Sequence, residues 1–201
     1  MANIDAPKGL VPVGHLRGGN IVARMYYLPS TDGTIIGIGD LVKLAGTAGA
    51  AGVVVSGQDV EGMPEIDRSA AGDLHVGVVV GFLANPDNLA AKHRAASTAR
   101  IALVVDDPDV IFEIQEVSGG TALTATEVGL NANVATVGDA STTTGLSTTE
   151  LDNATEASTA DLDLKIWGLA KRPDNAYGEH AKWLVLINTH SYKSSAGIAG
   201  L

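Results

Sequence analysis

The chain has 201 residues and a formal net charge of −10. That length suits one domain, and the negative field argues against direct binding to a DNA or RNA polyanion. Aromatic residues at 4% leave few rings for base stacking. With no cysteine there is no disulfide or thiolate chemistry. No run reaches the roughly 20 apolar residues of a membrane-spanning helix, so no membrane partner is expected. Met1-Ala2-Asn3-Ile4-Asp5 lacks the charged-then-apolar order of a secretory leader. A soluble protein made in a cytoplasm is expected.

Residues 1–20 hold Pro7, Pro12 and Gly18-Gly19 and show no periodicity. They read as an extended arm without a local sheet partner, suited to lying on a neighbour. The candidate contact residues are Leu10, Val11, Val13, His15, Leu16 and Arg17. Ile21–Leu28 reads as a strand. Asp32-Gly33 is a turn signal, and 34–44 reads as a strand pair bent at Gly39-Asp40. Ala45–Gly52 reads as a small-residue loop, Val53–Val55 as a short strand and Gln58–Ala71 as a polar surface loop. Leu74–Phe82 carries Val76, Val78, Val79 and Val80, a nearly continuous aliphatic run that predicts burial on both faces.

Asn85-Pro86-Asp87-Asn88 breaks that run, and Leu89–Thr98 reads as a short helix. Strands follow at 100–105 and 110–117, separated by Asp106-Asp107-Pro108-Asp109. Residues 118–160 are rich in Ser, Thr, Ala and Gly and read as an irregular excursion, with one helical turn at Thr124–Leu130. Segments 162–169 and 182–190 flank Pro173, Asn175 and Gly178 and read as an antiparallel hairpin. Residues 194–201 read as a tail. The expectation is all-β: one β-barrel or β-sandwich over 21–193, jelly-roll- or tulip-like, with the arm and the excursion attached.

No catalytic set stands out. Val55-Ser56-Gly57 and Val117-Ser118-Gly119-Gly120 lack the strand–Ser–helix setting of a nucleophile. Gly37-Ile38-Gly39 lacks the third glycine of a dinucleotide loop. Of the five histidines, His75 sits in an aliphatic strand and is expected to pack or face an edge. His180 and His190 flank the last strand and could approach each other. Asp106, Asp107 and Asp109 lack the spacing of a calcium loop, and Pro108 suits a solvated turn. No metal, cofactor or enzymatic activity is expected. The two Trp lie in the apolar hairpin, where a core role is expected.

Several segments, in order, resemble the cement or head-decoration proteins of tailed bacteriophages. They are Asp5-Ala6-Pro7-Lys8-Gly9-Leu10, Pro12-Val13 with His15-Leu16, Gly39-Asp40-Leu41-Val42-Lys43-Leu44, and Gly72-Asp73 leading to Val76-Gly77-Val78. Then come Asp106-Asp107-Pro108 with Phe112-Glu113-Ile114-Gln115, Gly129-Leu130-Asn131-Ala132, and Arg172-Pro173-Asp174-Asn175 with Asn188 and His190. The resemblance implies a structural protein on the outer surface of a virion capsid. Its partners would be the major capsid protein and copies of itself, a trimer before a dimer, with no cofactor. The alternative is a surface-displayed adhesive or carbohydrate-binding β module, and a hydrolase with an unrecognised site is a third possibility.

Overall fold

The computed structural model describes residues 3–136, 138–193, 197, 199 and 200; most of the predicted tail, 194–201, lies outside them. The strands are β1 (Val11–His15), β2 (Arg24–Leu28), β3 (Leu41–Ala48), β4 (Val54–Val55), β5 (Gln58–Asp59), β6 (Pro64–Arg68) and β7 (Gly77–Phe82). They continue as β8 (Arg100–Val105), β9 (Val110–Gln115), β10 (Asn131–Ala132), β11 (Val134–Thr136), β12 (Thr149–Leu151), β13 (Leu164–Leu169) and β14 (Lys182–Ile187). One 3-10 turn spans Ala125–Glu127, closed by a capping box between Thr124 and Glu127. The chain is all-β, with no α-helix among the described residues.

Two units hold ten of the strands, and β4-β5 and β11-β12 form two-stranded sheets of their own. Five close into a barrel in the order β2-β6-β3-β7-β8, and five form a sheet in the order β1-β9-β14-β13-β10. The barrel is filled by Tyr26, Leu28, Ile36, Val42, Ile66, Val76, Val79, Ala102 and Val104. The sheet lays Phe112, Ile114, Leu164, Ile166, Trp183, Val185 and Ile187 against Leu41, Val78 and Val105 from the barrel wall. Strand β7 is therefore buried on both sides: Val79 points into the barrel and Val78 into the layer between barrel and sheet. Its unbroken aliphatic run has this cause.

The N-terminal segment differs from a free arm. Val11–His15 pairs antiparallel with β9, Val11 opposite Glu113 and His15 opposite Val110. Leu10 is buried in the shared core, and its N–H donates to Gly39 O at 2.9 Å. A Cβ on Gly9 would fall 2.3 Å from Gly39 O, so the two backbones touch at a separation only glycine allows. Further upstream, the Asn3 amide donates to Ala176 O and Glu179 O at 2.9 Å each. The segment thus has a local sheet partner in its own body, because β9 offers an open edge beside the apolar seat that Leu10 fills.

Other expectations also change. Gln58–Ala71 contains β5 and β6; only Ile66 of β6 is fully buried, so its hydrophobic signal is one residue long. Strand β3 runs on through Ala48, into the predicted loop. Residues 118–160 are not an appendage, since Leu123, Ala132, Val134 and Leu151 belong to the main core.

Leu89–Thr98 is a series of turns and not a helix. The Asn85 and Asn88 side chains accept from the N–H groups of Asp87 and Ala90, which ties the backbone into turns. Arg94 is fully buried and donates to the carbonyls of Pro29, Asp32, Thr34 and Thr98 and to the Asp32 carboxylate at 3.0 Å. Arg94→Ala should therefore cost about 3–5 kcal/mol, because it leaves a cluster of enclosed acceptors unpaired. Urea unfolding measures this, and a loss below about 1 kcal/mol would contradict the assignment.

Candidate docking surface

The four residues Asp106–Asp109 carry the chain from β8 in the barrel to β9 in the sheet. Asp107 closes the turn on itself: its carboxylate accepts from Asp109 N at 2.9 Å, and its carbonyl accepts from Val110 N at 3.2 Å. Three carboxylates crowd this corner, and each is met by a different basic side chain from residues 15–24. Asp107 Oδ2 lies 3.2 Å from His15 Nε2, Asp109 Oδ2 lies 2.8 Å from Arg17 Nε, and Asp106 Oδ2 lies 3.0 Å from Arg24 Nη1. Asp106 is buried and also accepts from the Tyr26 hydroxyl at 2.7 Å. Burial and the neighbouring Tyr192 and Asp106 push the Tyr26 hydroxyl up, so it stays a donor. The Asp109 N–H and His15 hold Asp107 below the usual carboxylate range.

These grips fasten a strap to the body. Residues 16–25 are all exposed, and they include Leu16, Ile21, Val22 and Met25. With Val11 and Val13 on β1 they make an apolar ridge that crosses from the sheet edge to the barrel, with Val22 the most open at 58%. Scattered single apolar residues on a surface need no explanation; six within one anchored stretch make it the candidate interaction surface. Of the candidate residues read from the sequence, Val11, Val13 and Leu16 lie on this ridge. His15 and Arg17 serve its anchors. Leu10 is enclosed in the core and presents nothing to a partner. Ile21, Val22 and Met25 went unnoticed as surface because they read as the inside of a strand, whereas β2 begins only at Arg24.

Among the described residues, two groups of side chains have the composition of a metal site, and neither fits one. The ligand atoms of His15, Asp107 and Asp109 lie within 4.8 Å of one another. His15 Nδ1, however, accepts from Arg17 N at 3.1 Å. A neutral imidazole carries one N–H, so Nε2 holds the proton and donates it to Asp107, leaving no lone pair for a cation. Asp5, Glu150 and His180 form the second group. Its centre is filled by the Gln115 amide, whose Nε2 lies 3.0 Å from Asp5 Oδ1, 2.8 Å from Glu150 Oε1 and 3.3 Å from His180 Nδ1. Ala6 N donates to Gln115 Oε1 at 3.0 Å and fixes which way the amide points. His180 precedes β14 and His190 follows it, so the two do not come together across the strand.

His75 and His190 meet elsewhere, in the layer between barrel and sheet. Both are buried, they pair as an isolated bridge, and His75 Nε2 lies 3.1 Å from Asp163 Oδ1. Asp163 is also buried and accepts from Gly72 N at 2.9 Å and Val134 N at 3.0 Å, tying three distant segments together. Tyr192 N donates to His190 Nδ1 at 3.0 Å, so His190 is held as the neutral ring. The expected packing of His75 is what the structure shows.

Trp183 is fully buried, and its indole N–H donates to Glu116 Oε2 at 2.6 Å. Trp167 is the exception to the expected core role: it is half exposed. Leu164 and Ile166 face the core, so strand alternation points Trp167 outward, and the register slip between Ile166 and Gly168 follows it. No protein-family model, curated protein or solved structure matches the chain.

Burial and the nearby Lys193 push His190 down from 6.5 to about 4, with His75 adding to the effect and Asp106 and Asp107 opposing it. The unfolded chain therefore takes up this proton first on acidification. Its contribution to stability is complete above about pH 6.5 and is lost as pH falls toward 4, by at most about 1.4 kcal/mol per pH unit. Buried Asp40, Glu116 and Glu150 have raised values and push the other way. The difference between wild type and His190→Gln isolates the histidine. Melting temperature should fall less steeply from pH 6.5 to 4.5 in the variant, and parallel curves would refute the buried neutral ring.

Proposed function

We propose that this chain is a structural virion protein that binds the outside of a tailed-phage head and cements its major capsid protein shell. The carrying observation is the exposed apolar stretch from Val11 to Met25, pinned to the body by two ion pairs and the His15–Asp107 hydrogen bond. The likeness of the ordered segments from Asp5 to His190 to head-decoration proteins supports the same reading. Repetition over a shell lets a modest contact per copy add up to firm attachment. On this reading the jelly-roll- or tulip-like body is a rigid platform, and no catalysis, cofactor or nucleic acid is involved.

A second reading, an adhesive or carbohydrate-binding module, draws on two half-exposed rings, Trp167 and Tyr177. The hollow beside them is lined by Val128, Gly168, Leu169 and Leu184, with Lys171 as its one charged group. A sugar site calls for several converging donors and acceptors around the rings. The apolar lining favours a protein partner.

Co-sedimentation with undecorated heads tests the reading. Wild-type protein should pellet with the shell. The double variant Val13→Asp, Val22→Asp should lose at least about tenfold in affinity, since each valine transfers apolar area into the contact and each new carboxylate resists it. Both side chains are exposed, so the melting temperature of the free protein should hold. Undiminished pelleting of the variant would remove the ridge from the contact. Failure of wild type to pellet, with binding to a glycan surface instead, would favour the adhesive module.

A further inference from the structure

The ridge leaves two conspicuous apolar features unused. One is a groove on the outward face of the sheet. Trp167 stands out from it, and hollows of about 510 Å³ and about 260 Å³ open beside that ring, both bounded by Val128 and Trp167. Leu169, Tyr177 and Leu184 line the larger hollow and Ile166 the smaller. Among the described residues, the charged groups of the lining are Lys165 and Lys171, and no acid lines either hollow. On a chain of net charge −10 this is a locally basic, apolar spot.

The other feature is the loop between β7 and β8. Residues 86–90 are all exposed, and Leu89 at 81% is the most open large hydrophobic side chain described. The loop is ordered in advance: Asn88 N donates to Asn85 O and Ala91 N to Asn88 O, both at 3.1 Å, on top of the two asparagine side-chain turns. Its sequence, Asn85-Pro86-Asp87-Asn88-Leu89-Ala90-Ala91, carries one acid and no base. Asp87 and Lys171 take part in no ion pair among the described residues.

We propose that copies of this chain associate head to tail, the 86–90 loop of one copy seating Leu89 in the groove beside Trp167 of the next and bringing Asp87 to Lys171. The match is one of shape and charge. A preformed acidic loop tipped by a leucine meets a basic hollow walled by Val128, Trp167, Leu169 and Tyr177. The two surfaces are different patches of one chain, so the contact is heterologous and either closes into a ring or runs on as a row. A single loop in a single groove buries far less than a standard interface of about 1,600 Å². Free copies therefore meet transiently, and crowding on a surface makes the contact persistent. The inference concerns the free protein and needs no shell, so its failure would leave the ridge and its role untouched.

The absence of cysteine makes the contact trappable. A Leu89→Cys protein is mixed with a Val128→Cys protein and, separately, with a Tyr177→Cys protein under mild oxidation. Peptide mass spectrometry then reads the mixed disulfides. At least one groove position should cross-link to position 89 severalfold more than a Val54→Cys control, a site outside the groove that is more open than either groove position. Adding Asp87→Lys to the loop protein should lower that yield about threefold, and Lys171→Glu in the groove protein should restore it, as for an exposed ion pair. Yields equal to the control at both groove positions would overturn the pairing. A yield that ignores both charge reversals would overturn the proposed orientation.

Discussion

The corner at Asp106–Asp109 governs the rest of the molecule. Four residues take the chain out of the barrel and into the sheet, and they place three carboxylates within one turn. Such a cluster repels itself unless cations answer it. Two cations, Arg17 and Arg24, and one hydrogen-bond donor, His15, answer it, all from one stretch. The same pairs that neutralise the corner therefore dictate where the N-terminal strap lies. The corner joins barrel and sheet, and Phe112, Trp183 and Val185 share a core with Leu41, Val78 and Val105.

That arrangement changes how binding would work. A disordered arm loses conformational freedom when it docks, at a cost that offsets much of the contact. Here the segment is already in place, through Asn3 on the 176–179 loop, Leu10 in the core, β1 on β9, the His15–Asp107 hydrogen bond and the two arginine ion pairs beyond it. The exposed valines, leucine and methionine are presented in a fixed array, and the ordering cost falls on folding. The buried polar groups serve the same stiffness. Asp40 accepts from Gly37 N at 2.8 Å and from the Ser147 hydroxyl, which ties the bend after Gly39 to the 138–151 region.

Much of the strand content was legible because the barrel and sheet core strands carry dense aliphatic runs. Strand β8 coincides with its predicted span, and β2, β7, β9, β13 and β14 fall within theirs. What escaped has a physical reason in each case. Strand β6 shows one fully buried residue, Ile66, between Glu65 and Asp67, so its pattern is polar. The 118–160 region feeds the core through widely spaced residues such as Leu123, Val134 and Leu151, and no local period reveals them. The strap's anchors were hidden because an ion pair between residues 17 and 109 leaves no local trace. Trp167 was misread because an unbroken hydrophobic run does not show which of its alternating residues face out, and here the neighbouring Ile166 takes the inward side.

The central claim is that this chain stabilises an assembled shell by binding a site that only the assembled state offers. Differential scanning calorimetry of heads with and without the protein, at saturating occupancy, tests it most directly. Binding restricted to the intact shell raises its melting temperature by mass action, and the rise should grow with free protein concentration up to saturation. Identical melting of decorated and bare heads at full occupancy would contradict the claim.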